Sequence, residues 1–256
     1  MGLLKKLLYK LLSQRAYLKT LHRSFYLLYS CGFLKNDSRF KYHYMVKQLI
    51  QPDFTVVDLG ANLGYFSKTF ARLAKNGTLI SIEPVPVFYD TLSFFMKGYS
   101  NTTIYNVALG TEEGSITMVL PESNGMIRTG LPHIAASEEE KQLHATQEVK
   151  IVKGSNLLAD LKKIDYIKCD IEGYELIVFQ EIKPILEKHL PFVQIEIAEK
   201  NLDEMLSIFN SLGYTQFGIK DFKFVKETGM QAEEGDFFFV PEKRLEQFEK
   251  KYIKIN

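Results

Sequence analysis

The sequence predicts an α/β fold, a parallel sheet wound with helices on both faces. Three observations carry this. From residue 52 onward short apolar strands alternate with helical stretches, the pattern of a doubly wound sheet. Five of those strands finish on or near a polar or acidic residue: Asp58, Glu83, Asn106, Asp170 and Glu196. Such sheets bind ligands beyond the carboxyl ends of their strands, so five polar ends in register predict a lined crevice. No linker, repeat or low-complexity tract interrupts the pattern. At 256 residues, 46% apolar and 25% charged, the chain has the make-up of one ordinary α/β domain with additions.

The elements follow in order. Apolar runs predict strands over 54–59, 79–83, 103–107, 164–169 and 192–198, with helices over 64–75, 86–97, 174–188 and 201–212 between them. Residues 115–120 and 147–152 read as an extra strand pair framing a polar segment, 121–146, placed to form a lid or acceptor-binding insertion. The last two strands, 214–219 and 236–240, are expected as a hairpin at one sheet edge.

Residues 1–36 form a separate basic segment, ahead of a domain over 37–256. They hold seven Lys or Arg and no acid, leaving 25 basic against 31 acidic groups in the remainder, a net of −6. Leucines from Leu3 to Leu12 recur at helical spacing and continue through Leu18, Leu21, Phe25 and Leu28, so the segment reads as an amphipathic helix. Two readings stay open: contact with an anionic membrane surface, or packing on protein. Lysines interrupt each apolar run well short of the ~20 residues a spanning helix needs. For the same reason a signal peptide is not expected, and Lys6 stands where a myristoylation start wants Ser or Thr. Two cysteines, Cys31 and Cys169, exclude a disulfide framework and suit a reducing, cytoplasmic setting, peripheral to the inner membrane face if the helix binds lipid.

The first strand ends in VVDLGANLGYFS. Gly60 and Gly64 let the backbone turn sharply and a ligand approach closely, and the helix that follows offers free N–H groups to an anion. Asp58, an acid beside them, attracts a cation. Together they suit a ligand that carries both an ammonium and a carboxylate. Glu83 ends the second strand 25 residues after Asp58, where an acid commonly accepts hydrogen bonds from ribose hydroxyls. A ligand that is part amino acid and part nucleoside is S-adenosylmethionine. A nicotinamide cofactor is disfavoured, because Asn62 replaces the middle glycine of the dinucleotide fingerprint, although asparagine still tolerates left-handed backbone angles.

VVDLGANLGYFS, IEPVP, NVALG and IKCDIEGYE, in this order and spacing, resemble the FkbM family of S-adenosylmethionine-dependent methyltransferases over roughly residues 50–200. The resemblance implies the class I methyltransferase fold, a Rossmann-like sheet of seven strands with a reversed last strand. It also implies O-methylation of a hydroxyl on a sugar, glycan or related small molecule. Carried over, Asp58, Gly60, Asn62 and Gly64 shape the methionine end of the site, Glu83 holds the ribose, and Asn106 with Ala108 lies near the adenine.

The fourth motif raises its own question, because Lys168 and Asp170 share one face of a strand expected to be buried on both. Asp170 and Glu172 are placed to face the sulfonium and the incoming hydroxyl. Lys168, one pleat deeper, calls for a neutralising carboxylate from Asp58 or Asp170, since buried lysines are paired. Asp170 is the first candidate for the base that takes the hydroxyl proton. A divalent cation on Asp170 and Glu196 is the alternative; two carboxylates are too few to assign one. His133 and His144 fall in the insertion as further base candidates, while His22 and His43 carry no signal. Nucleic acid is not an expected partner, given the acidic domain. A non-catalytic membrane-binding scaffold and a nicotinamide oxidoreductase are the rival functions.

Overall fold

Residues 12–123, 125–226 and 236–253 are described by a computed structural model. After two N-terminal helices, α1 (Gln14–Ser30) and α2 (Lys41–Leu49), strand and helix alternate through β1 (Thr55–Leu59), α3 (Ser67–Leu73), β2 (Thr78–Ile82), α4 (Pro86–Met96) and β3 (Thr102–Tyr105). A smaller layer follows: β4 (Ala108–Gly110), β5 (Gly114–Leu120), β6 (Glu122–Ser123), β7 (Met126–Ile127), β8 (His133–Ile134), α5 (Glu138–Leu143) and β9 (Ala145–Lys153). The chain then runs through α6 (Gly154–Leu157), β10 (Tyr166–Cys169), α7 (Glu175–Glu181), α8 (Lys183–His189) and β11 (Phe192–Glu196). It continues with α9 (Leu202–Ser211), β12 (Tyr214–Lys220), β13 (Lys223–Lys226), β14 (Asp236–Pro241) and α10 (Glu242–Tyr252).

The main sheet has the order β13-β12-β14-β11-β10-β1-β2-β3. Strands β3, β2, β1, β10 and β11 are mutually parallel, and β14 runs against both of its neighbours, β11 and β12. The reversed strand is therefore present, but it sits inside the sheet. The edge hairpin expected from 214–219 and 236–240 is made instead by β12 and β13, an eighth strand beyond the seven expected. Strand order reverses between β1 and β10, which places the crevice beyond Leu59 and Cys169.

Alternation explains why both faces are buried. Val57, Leu59, Ile167 and Cys169 join one core with Phe179, Phe209 and Phe239; Val56 and Tyr166 join the other with Phe70, Phe217 and Phe238. Burying each such aromatic or branched side chain contributes about 1.5–3 kcal/mol before entropy is set against it.

Three local differences have physical causes. The expected helix 174–188 is broken at Ile182 into α7 and α8, because Pro184 has no N–H to continue the ladder. The expected strand 103–107 stops at Tyr105, since Asn106 turns away to bond the neighbouring loop. The helix expected from Gly64 begins at Ser67, the intervening residues forming a tight turn.

The small layer carries the insertion. Strands β5 and β9 pair antiparallel as expected, and 121–146 adds β6–β7, β8 on β5, and α5. Of Asn124-Gly125-Met126, which the sequence suggests as a turn, Asn124 lies outside the described residues. Helix α1 packs on the domain: Tyr17, Leu18, His22 and Tyr29 are buried, and the Gln14 carboxamide accepts the Ile127 N–H of the insertion at 3.0 Å. Residues 1–11 of the basic segment lie outside the described part.

Candidate active site

The loop after β1 is built by left-handed backbone. Gly60, Asn62 and Gly64 have φ of 72°, 52° and 87°, angles glycine adopts freely and asparagine better than most. Gly60 is also required by contact: a Cβ there would lie 1.8 Å from the Asp170 carbonyl oxygen. The loop is pinned to β2 by the Gly60 and Ala61 N–H groups, both donating to the Ile82 carbonyl at 3.0 Å.

Glu83 organises the next loop. Its two carboxylate oxygens accept the Asn62 N–H at 2.8 Å and the Val85 N–H at 2.9 Å. Burial nevertheless pushes its carboxyl up to about 7, against the pull of those bonds. Asn106 donates to the Glu83 and Pro84 carbonyls at 2.8 and 2.9 Å, so its side chain holds this loop in place.

The polar face of β10 is a charged row. In register, Asp58 of β1 stands beside Lys168 of β10, and Lys168 beside Gln194 of β11. The Lys168 ammonium donates to Asp170 at 3.1 Å and lies 4.0 Å from Asp58. Burial works against its charge, but Asp170 and Asp58 outweigh it and raise its pKa. Asp58 is fully buried and accepts the Ser67 hydroxyl at 2.5 Å; burial raises its carboxyl. Its other oxygen, Oδ1, makes no hydrogen bond and lies 4.0 Å from the Lys168 ammonium, which itself reaches the Gly60 carbonyl of the glycine loop at 3.4 Å.

Two small adjoining cavities, about 60 and 40 Å³, share Gly60, Pro84, Met118 and Ile171. One is polar at its far end, where Asn62, Glu83, Asp170 and Glu172 meet. The other is an apolar slot between Leu59, Ile82, Ala108, Leu109 and Tyr174. The insertion borders the first with Gly130 and Pro132 and the second with Ile134, and its framing strand β5 borders both with Met118. On the other side of Asp170 opens a larger cleft, about 480 Å³, lined by Arg39, Tyr42, His43, Phe66, Lys168, Gln194, Glu196 and Asp236. Asp170 borders both the polar cavity and this cleft.

The acids around Asp170 differ in charge state. Burial pushes Asp170 up, but the Lys168 ammonium pulls harder and leaves it below the usual carboxylate range. Burial and the Asp170 charge raise Glu196 to about 7, and the two carboxyls share a hydrogen bond. Glu172 sits at a left-handed φ of 57°, uncommon for a residue with a Cβ, on a turn fixed by Glu175, which accepts the Ile171 and Gly173 N–H groups. Burial and then Asp170 raise Glu172 to about 8. Asp170 is thus the member ionised at neutral pH. Among the described residues no group of three or more His, Cys, Asp or Glu is arranged to hold a metal ion.

The histidines change standing. His43 lines the cleft, stacks on Phe66 at 3.7 Å, and is lowered to about 3 by burial. His22 stacks on Phe95 at 3.7 Å, donates through Nδ1 to the Leu63 carbonyl, and is lowered to about 4 by burial. His133 faces the Leu131 carbonyl and Glu140, each at 2.7 Å, well inside the insertion; His144 ends α5 on the surface. Arg39, Tyr42 and Phe66 were not singled out from the sequence, which holds no local pattern that joins residue 40 to residue 170.

A reversed strand beside the fifth parallel one, a glycine turn at the strand-order switch and an acid after β2 define the class I methyltransferase fold. A family model described as the methyltransferase FkbM domain matches residues 58–215, well over half of the chain. The chain belongs to the FkbM methyltransferase family. Methyltransferase 1 of Beauveria bassiana (strain ARSEF 2860) is 26% identical over 144 residues, covering 50% of this chain and 58% of that one. Methyltransferase sdnD of Sordaria araneosa is 25% identical over 171 residues, covering 56% and 65%. The matched part thus spans less than two thirds of either relative's length. In fold, the chain is similar to the crystal structure of methyltransferase FkbM from Methylobacillus flagellatus KT, with a TM-score of 0.50, 16% identity, and coverage of 74% of this chain and 44% of that one.

Proposed function

We propose that the protein transfers a methyl group from S-adenosylmethionine to a hydroxyl of a sugar, glycan or related small molecule. The observation that supports this reading is the position of Asp170, between the small polar cavity it shares with Asn62, Glu83 and Glu172 on one side and a cleft of about 480 Å³ on the other. The residues present fit the cofactor. Ala108, Leu109 and Tyr174 offer an apolar slot suited to adenine, Glu83 offers carboxylate lone pairs beyond the two its backbone bonds use, and the Gly60–Gly64 turn leaves room for close approach to the methionine end. When bound, S-adenosylmethionine supplies an electrophilic methyl group on a sulfonium.

The chain's own groups do the rest. The cleft offers aromatic faces from Tyr42 and Phe66 and hydrogen-bonding groups from Arg39, Gln194 and Glu196, a mixture that suits a polyhydroxylated ring. Asp170, kept ionised by Lys168, accepts the proton of the reacting hydroxyl, and Glu196 beside it spreads the charge. Orienting the hydroxyl supplies much of the rate, and a positioned base adds about 10²–10⁴-fold.

The test is calorimetric titration with S-adenosylhomocysteine, coupled to methyl-transfer assays over a panel of hydroxylated acceptors. Wild type is expected to bind, Glu83→Ala to lose binding, and Asp170→Asn to bind within a few-fold while turnover falls about 10²–10⁴-fold. Binding in Glu83→Ala equal to wild type would refute the cofactor assignment. Unchanged turnover in Asp170→Asn would refute the base.

A further inference from the structure

Helix α1 ends in an exposed apolar tip that the domain leaves uncovered. The chain turns there through a glycine: Gly32, at φ 79°, donates to the Tyr29 carbonyl, and the next residue, Phe33, donates back to the Leu28 carbonyl. This six-to-one closure brings the residue after the glycine beside the one three from the helix end, usually as an apolar pair. Here the pair does not enter the core. Phe33 is 75% exposed, Leu27 66% and Leu28 41%, three of the large apolar side chains that remain on the described surface.

The surroundings of the tip are basic. Arg23 stands one turn before Leu27 and Lys35 follows the turn, while Arg15, at the other end of the helix, is paired with Asp90 at 2.7 Å. Residues 1–36 contain seven Lys or Arg and no acid. Among the described residues of the leucine stripe, Leu18 is fully buried and Leu12 and Leu21 partly so, as the packing reading expects, whereas Leu27 and Leu28 at the far end of the helix stay exposed. No helix among the described residues is long and apolar enough to cross a membrane.

We propose that this tip, Leu27, Leu28 and Phe33 with its rim of Arg23 and Lys35, seats the protein on an anionic lipid surface. Apolar side chains enter the headgroup boundary while the basic rim meets the negative charge. A second copy is the weaker occupant. A two-fold contact presents the same patch on both subunits and would set an acid-free segment against itself. The same helix end packs against His43, one of the residues that line the larger cleft. The Tyr29 hydroxyl donates to the His43 carbonyl at 2.5 Å, and the Phe25 ring lies 4.9 Å from the His43 ring. A lipid surface at the tip therefore bears on the helix that holds His43 at the cleft. The contact itself stands independently of methyl transfer.

The experiment is co-sedimentation of the full chain with vesicles of phosphatidylcholine alone and of phosphatidylcholine with phosphatidylglycerol, at low and high salt. Binding is expected to the anionic vesicles, weakened by salt, and lowered about tenfold or more in Leu27→Ser/Phe33→Ser and in Arg23→Glu/Lys35→Glu. All four sites are on the surface, so each variant should keep the wild-type melting temperature. Three results would overturn the proposal. One is no preference for anionic vesicles. The second is binding lost on removal of residues 1–11 but untouched by the tip substitutions. The third is a dimer in sedimentation velocity that Phe33→Ser splits, which would give the face to a second copy.

Discussion

Lys168 shows how a buried charge is kept. Its side chain is 5% exposed and that of Asp58 not at all, so neither has water to fall back on. Removing one partner strands the other, which typically costs about 3–5 kcal/mol. Lys168→Ala should therefore lose stability on that scale at pH 7 in urea denaturation, and adding Asp58→Asn should restore a large part of it. A Lys168→Ala chain as stable as wild type would show that the row is solvated. Strand alternation alone placed Lys168 and Asp170 on one face and called for a carboxylate, so this row was legible from ten residues. The left-handed Glu172 was not, since it depends on Glu175 capping the turn from below. Nor was the setting of Asp58, whose carboxylate is enclosed between the Ser67 hydroxyl and the Lys168 ammonium. His43 and Phe66 become neighbours through α2 and the turn before α3, a long-range meeting that local patterns do not encode.

At the scale of elements, the insertion decides access. The two cavities beneath it hold about 60 and 40 Å³, whereas sites that enclose small ligands run to roughly 300–1,000 Å³. Admission of a nucleoside-sized ligand is therefore expected to displace the insertion, whose Gly130 faces Glu172 at the polar cavity. Hydrogen exchange should report this. With S-adenosylhomocysteine added, amides of residues 125–136 are expected to change their exchange rates, while those of β1 and β10 stay protected. Bound ligand with no change in 125–136 would place the entry route elsewhere. The insertion's framing strands were readable from alternation, but its inner pairs are two residues each, too short for any periodicity to register. Pro184 is the opposite case. Its consequence follows from one residue's missing N–H, yet the apolar spacing through 174–188 outweighs it when the segment is read for period alone.

Across the whole molecule, the strongly raised carboxyls Glu83, Glu172 and Glu196 gather around one crevice, and they set part of the pH response. Glu83 and Glu196 are raised to about 7 and Glu172 to about 8, so between 4.5 and those values the folded state binds more protons than the unfolded. Their stabilising share is complete below 4.5 and lost as pH rises through 7–8. His22 and His43, lowered to about 4 and 3, act oppositely: stability rises with pH up to 6.5 and is level above it. The two effects oppose each other below 6.5; above it the carboxyls act together with His133, which burial would lower but Glu140 and the Leu131 carbonyl raise, so that its share too is lost as pH rises. Melting temperature should therefore fall from pH 6.5 to 8.5, and Glu172→Gln should flatten part of that fall. A level or rising profile would remove these carboxyls from the balance.

The sheet's strand order also has a meaning in time. Strand β14 is among the last elements of the chain, yet its seat lies between β11 and β12, both made earlier. As the polypeptide emerges, those two strands must wait with a gap between them, each showing an unpaired edge. No fragment that stops before residue 236 can close the sheet. Asp236, the first residue of β14, also lines the larger cleft, so the cleft is finished by the strand that closes the fold. A growing chain can possess its glycine turn and its Glu83 loop well before it possesses a complete place for anything to react.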